Sequence, residues 1–133
     1  MKLSKIICLL LSLHLSIQAQ VTKKTEEQFF NANANASNKV TDNSVLNFYT
    51  TEEFKIGKVI VPRHTRFSTI VNIVDGRAYL RVNAIKIGDE IQTIDWRAVG
   101  PDFKEGIPII ESDRSIEVYE DQRLTFKAYT YSN

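Results

Sequence analysis

A hydrolase built on Ser or Thr needs a neighbouring base, and histidine is the usual one because its unperturbed pKa lies near neutrality. Beyond residue 19 the chain holds one histidine, His64, in the run VPRHTRF between Pro62 and Thr65, where it reads as a surface turn residue. A zinc centre needs three or four converging ligands; one histidine with no cysteine leaves carboxylates to supply the rest, so no metal site is expected. Glycoside hydrolysis needs two carboxylates facing each other across a cleft. Glu52, Glu53, Asp89, Glu90, Asp95, Asp102, Glu105, Glu111 and Asp113 are available, but most stand in turn segments, where acidic residues form turns and keep the surface soluble. Gly57, Gly76, Gly88, Gly100 and Gly106 are isolated, each suited to a turn rather than to a phosphate loop. No catalytic residue, metal ligand or cofactor is expected.

The elements that would position any site begin after a leader. Lys2 and Lys5 precede the apolar run IICLLLSLHLSI, and a small-residue exit follows at Ala19. That run is short of the roughly twenty residues a membrane span needs, so residues 1–19 read as a cleavable secretory signal peptide. The expected product begins near Gln20 and is periplasmic or secreted, with no stable membrane insertion. The only cysteine, Cys8, lies inside the leader and too early for a lipoprotein processing site, so neither a disulfide nor a thiol nucleophile is available. Of 17 basic residues two leave with the leader, setting 15 against 16 acidic ones and a net charge near −1. A nucleic-acid binder gathers a basic excess on one face; none is present, and nucleic acid is not an expected partner.

From Gln20 to Asn43 the composition turns to Lys, Thr, Gln and the alternation NANANASN at Asn31 to Asn38. Little continuous apolar surface is offered, and residues 20–43 are expected to form a flexible linker. Thr25 to Gln28 could start a short helix ahead of Phe29 and Phe30, a pair expected to dock on the domain, with a partner as the alternative.

Residues 44–133 switch to short β-rich runs separated by turn residues, the spacing of a small all-β antiparallel barrel or sandwich of seven to eight strands. Val45 to Tyr49 is a first strand; Phe54 to Val61 is a second apolar stretch, bent at Gly57-Lys58 and ended by Pro62. Phe67 to Val74 and Arg77 to Ile85 flank Asp75-Gly76, a dipeptide suited to a two-residue type I′ turn. On the returning strand Ala78, Leu80, Val82 and Ala84 are expected on one face, and Arg77, Tyr79, Arg81 and Asn83 on the other. Gly88-Asp89 turns into a strand from Glu90 to Val99, where Gln92, Ile94, Trp96 and Ala98 alternate with Ile91, Thr93, Asp95 and Arg97. After a loop from Gly100 to Gly106 come Ile107 to Ile110, Ser115 to Tyr119, a polar turn at Glu120 to Gln122, and a closing strand from Arg123 to Tyr131.

The aromatic residues exceed what a small core needs, and Phe48, Tyr49, Tyr79, Trp96, Tyr129 and Tyr131 are the candidate interaction surface. Aromatic-bearing edge strands can recruit partner strands or a neighbouring subunit.

The segment from Phe54 to Ile107 resembles the C-terminal domain of the conjugative-transposon TraM family, related to the TrbI-like proteins of type IV secretion. The likeness is carried by VPRHT at Val61 to Thr65, DGRAYLRVNAI at Asp75 to Ile85, and PDFKEGI at Pro101 to Ile107, in the family's order. The resemblance implies a β-barrel domain in an envelope-spanning conjugation channel, without catalytic residues. Family members carry an inner-membrane helix and a long linker ahead of the barrel, and TrbI-like proteins insert a helical pair into the outer membrane; neither pattern is seen here.

The expected function is therefore a non-catalytic exported module whose partners are proteins of a cell-envelope assembly, a homo-oligomer being compatible with this. The alternative is a small periplasmic ligand- or carbohydrate-binding domain using Trp96, Tyr79 and nearby carboxylates. The face on which Trp96 lies discriminates between them: burial opposite Leu80 and Val82 favours the structural module, and exposure in a groove beside Asp95 or Asp102 favours the ligand site.

Overall fold

Period-2 runs joined by tight turns close on themselves in the computed structural model, which describes residues 24–109 and 115–132. The expected leader, and Glu111 and Asp113, lie outside the described residues. The strands are β1 (Lys24–Ala34), β2 (Asn38–Val40), β3 (Val45–Thr50), β4 (Phe54–Ile56), β5 (Val59–Val61), β6 (Arg66–Val74), β7 (Arg77–Ile87), β8 (Glu90–Val99), β9 (Ile107–Pro108), β10 (Ile116–Val118) and β11 (Arg123–Ser132). Six of them form a closed antiparallel barrel in the order β1, β3, β6, β7, β8, β11, returning to β1. Closure removes most of the open edges that a sandwich of this size would expose.

The barrel interior is aromatic. Phe30 stacks on Phe126 at 5.5 Å and meets Trp96 edge-on at 4.7 Å; Phe67 stands edge-on to Trp96 and to Phe126, both at 5.3 Å. Phe48 stacks on Phe67 at 5.7 Å. Two accessory pieces add to this core. The β4–β5 hairpin buries Ile56 and Val61 and stacks Phe54 on Phe30 at 4.5 Å, while the β2–β10 pair buries Val40 and Val118.

The expected hairpin turn is present: Asp75 and Gly76 have φ of 48° and 76°, as a type I′ turn requires. The VPRHT turn ends β5 at Pro62 and is tied to β3. Thr50 Oγ1 donates to the Pro62 carbonyl at 2.9 Å, and the Thr65 N–H donates to Thr50 Oγ1 at 2.9 Å. His64 is exposed there with a left-handed φ of 65°.

Two expectations are corrected. Residues 24–40 of the expected linker are built into the fold: β1 pairs with β11 from Lys24↔Ser132 to Asn33↔Arg123, so no helix starts at Thr25. The Asn-Ala alternation is itself a strand signature. Ala32 and Ala34 are completely buried and alternate with outward Asn31 and Asn33; small barrels alternate small and large inward residues, and rings fill the neighbouring levels. On β7 the inward set changes phase. Val82 pairs with Trp96 but Ala84 pairs with Thr93, leaving Ile94 and Asp95 of β8 opposite Asn83, a β-bulge. Ile85, not Ala84, is consequently buried.

Candidate interaction surface

The outer side of the barrel is organised by three arginines. Arg77, the first residue of β7, clamps the Gly100–Gly106 loop. Its guanidinium forms a fork on Asp102 (3.0 and 3.1 Å), and donates to the carbonyls of Glu105 (3.0 Å) and Gly106 (2.7 Å). Gly106 has φ of 87°, and a Cβ there would stand 3.0 Å from the Tyr79 ring, so glycine is needed both for conformation and for the close approach. The DGRAYL and PDFKEGI segments are thus physically joined, Arg77 of the first holding Asp102 of the second. The fixed loop projects Phe103, 71 % exposed, edge-on to Phe29 of β1 at 6.2 Å.

Register then places like charges side by side. Arg81 lies opposite Arg97, and Arg97 opposite Lys127, which lies opposite Phe29. Directly opposed like charges destabilise a sheet, and each cation here is compensated. Glu105 accepts from Arg81 at 2.7 Å and stands 3.6 Å from Arg97; Asp95 takes a fork from Arg97 with both contacts at 2.9 Å; Glu27 pairs with Lys127 at 2.9 Å. The Arg97 guanidinium also lies 4.5 Å from the centre of the Tyr129 ring, and the Lys127 ammonium 5.3 Å from the same ring. Tyr131 donates its hydroxyl to Asp95.

Burial works to raise the Asp95 carboxyl, but hydrogen bonds from Arg97 and Tyr131 and the charges of Arg97 and Arg81 outweigh it and hold the group below the ordinary carboxylate range. The bond to Asp95 raises both the Arg97 guanidinium and the Tyr131 phenol. Asp102 is lowered chiefly by its bond from Arg77. Carboxylates held ionised in arginine forks are poor proton donors at neutral pH, the opposite of what a general acid requires. Among the described residues no group of three or more His, Cys, Asp or Glu side chains converges as metal ligands would.

The expected surface residues divide. Tyr129 and Tyr131 stand on this outer face, and Tyr79 packs its ring against Gly106 at the loop. Tyr49 is elsewhere, donating to Asp121 across the β3 side, with its ring near His64. Phe48 and Trp96 are corrected: at 0 % and 1 % exposure they are core residues, since their strand positions point into the barrel. Trp96 lies opposite Val82, the burial expected of the structural module. Phe103, Arg97 and Lys127 were not among the expected surface residues, and of the expected docking pair Phe29 lies on this face while Phe30 is in the core; Arg97 and Lys127 occupy outward positions of alternating strands.

Beyond Trp96↔Ala128 the β8–β11 ladder ends, and the strands part over a cleft of about 300 Å³ lined by Ile56, Val59, Ile94, Trp96, Thr130 and the Asp95–Tyr131 pair. The β4–β5 hairpin approaches here through Gly57, where a Cβ would come within 2.9 Å of the Thr130 methyl.

Fold and surface together define a small closed β-barrel domain with an arginine-clamped loop and a charged, tyrosine-bearing outer face. The family model described as "Conjugative transposon, TraM" matches residues 30–127, and the chain belongs to that family, a component related to conjugative transfer. Neither a curated protein nor a solved structure matches it. The match starts at Phe30, inside β1, and so extends well ahead of the Phe54–Ile107 segment that carried the resemblance.

Proposed function

We propose that this protein is a non-catalytic, exported component of the envelope machinery of conjugative transfer, acting in the periplasm by binding other proteins through the outer face of β7, β8 and β11. Family membership supplies the process. The observation that carries the binding role is the state of the acidic groups: Asp95, Asp102 and Glu105 are each engaged by arginine, so the face presents a rigid charged and aromatic surface in place of an acid–base pair. Such a surface, rich in Tyr and Arg, has the composition of protein-binding hot spots. Export rests on the leader pattern at residues 1–19.

The carbohydrate-binding alternative is built on Trp96 as the aromatic platform, and Trp96 is only 1 % exposed at the floor of the cleft beside Asp95, too little ring for a sugar to stack on. The test is complementation of a deletion strain by the wild type and by a Phe103→Asn, Tyr131→Ser double variant, whose side chains are both exposed. The variant is expected to fold, to fractionate with the periplasm, and to lower transfer on the order of tenfold, the scale of a 1.4 kcal/mol loss in binding. Wild-type protein retained in the cytoplasm, or full transfer by the variant, would refute the proposal.

A further inference from the structure

The barrel is closed by a short seam. β1 pairs with β11 along ten positions, from Lys24 to Asn33, but with β3 only at Ala32, Asn33 and Ala34. Ahead of Ala32 the second side of β1 has no strand partner among the described residues, and no other backbone hydrogen bond reaches residues 26–31. Alternate N–H and C=O groups of that stretch therefore face outward from the ladder, as on any antiparallel edge. Beside it runs a crevice of about 190 Å³ whose walls include Phe29, Asn31, Thr51, Glu52, Phe54 and Arg123.

Four glutamates stand along this edge. Glu26, Glu27, Glu52 and Glu53 are all exposed; Glu27 is matched by Lys127, Arg123 is the basic residue in the crevice wall, and Lys55 of β4 is exposed beyond Glu53. A second copy of β1 laid antiparallel on the same stretch would set Glu26 opposite Asn31 and Glu27 opposite Phe30, which brings no cation to either glutamate. A basic strand would instead be drawn in.

We propose that the free edge of β1 at residues 26–31 accepts a basic, extended segment of a partner protein as an added strand. Main-chain hydrogen bonds would supply the affinity, alternate Lys or Arg side chains would meet Glu26 and Glu52, and the apolar side chains between them would lie on the outward face against Phe29. The inference rests on the protein-binding role proposed above and names the kind of partner; it uses the edge of β1, which adjoins the β7, β8 and β11 face at Phe29.

The test is performed on the purified protein, by amide hydrogen exchange and titration with two short probes, one alternating Lys and Val and one alternating Glu and Val. In the free protein alternate amides of residues 26–31 should exchange fast, and the Lys–Val peptide should protect them. Glu26→Lys with Glu52→Lys should weaken that peptide about tenfold, a loss of 1.4 kcal/mol, and admit the Glu–Val peptide. Protection of these amides without peptide, protection at a different strand, equal binding of both probes, or a dimer whose dissociation exposes the edge would overturn the inference. Because the readout is binding by the isolated protein, it stands or falls independently of localisation and of the transfer assay.

Discussion

Replacing Phe30 with alanine tests whether the N-terminal segment is a strand of the barrel or a tether. Phe30 is 7 % exposed and is surrounded by rings: Phe54 at 4.5 Å, Trp96 at 4.7 Å, Phe126 at 5.5 Å and Phe67 at 6.4 Å. Truncating a buried phenylalanine costs about 3–5 kcal/mol through lost transfer energy and a residual cavity. The upper half applies here, because ring-to-ring contacts are lost on several sides and a closed barrel collapses poorly around a void. Domains are stable by about 5–15 kcal/mol, so Phe30→Ala should remove about a quarter of the total or more. With a urea slope of about 2 kcal/mol/M, the unfolding midpoint should fall by about 2 M at unchanged slope. Phe29→Ala is the internal control. Its ring is 48 % exposed and touches Phe103 edge-on, so about 1 kcal/mol or less is expected. Equal small shifts for both variants would mean that β1 contributes nothing to the fold and would refute the assignment of residues 24–34 to the barrel.

Glu105→Gln removes the carboxylate shared by Arg81 and Arg97; since Arg81 is largely exposed, the cost should be about 1 kcal/mol or less in low salt, shrinking when added salt screens the opposed cations, as thermal unfolding at two ionic strengths would show. Asp95 has a lowered folded-state pKa, so its contribution is present above its unfolded value near 4 and is lost as pH falls through the folded value; Tyr131, raised by Asp95, contributes below about pH 10 and loses that contribution as pH rises further. Asp95→Asn should flatten both limbs of a stability-versus-pH curve, the acid one by removing the titrating carboxyl and the alkaline one by removing the charge that raises the phenol. Gly57→Ala should be more destabilising than Gly88→Ala in chemical denaturation. Both have left-handed φ, 59° and 61°, which costs roughly 1–2 kcal/mol for a residue with a Cβ, but only Gly57 adds a clash with Thr130, while nothing lies within 4 Å at Gly88. Thr130→Ala should recover the difference.

Local turn chemistry made most strand boundaries legible. Asp75-Gly76, Gly88-Asp89 and Pro62 stand where the chain reverses or a strand ends, because these residues change what the backbone itself can adopt. The alternation of β8 was readable for the same reason. The Asn-Ala stretch was misread because alanine carries a weak apolar signal; it becomes a core residue only where rings from other strands leave room for a methyl group and nothing larger. The phase change on β7 was invisible because a bulge is a property of two strands, Asn83 facing both Ile94 and Asp95.

For the surface, the amino-acid order supplied the candidates and not their grouping. Tyr129 and Tyr131 stand out along the chain, whereas the neighbours that define their environment are distant in sequence: Asp95 with Arg97, Glu105 with Arg81, Glu27 with Lys127. The removal of Phe48 and Trp96 from the surface into the core likewise required knowing which side of each strand faces inward.

Composition, turn residues and period-2 patterning by themselves determined an all-β chain, because backbone preference and hydrophobic alternation act over a few residues. Closure into a barrel, the arginine clamp on the Gly100–Gly106 loop and the open edge of β1 were decided only by tertiary structure. Each depends on strand register, which is set by the simultaneous packing of the aromatic core from strands far apart in the chain.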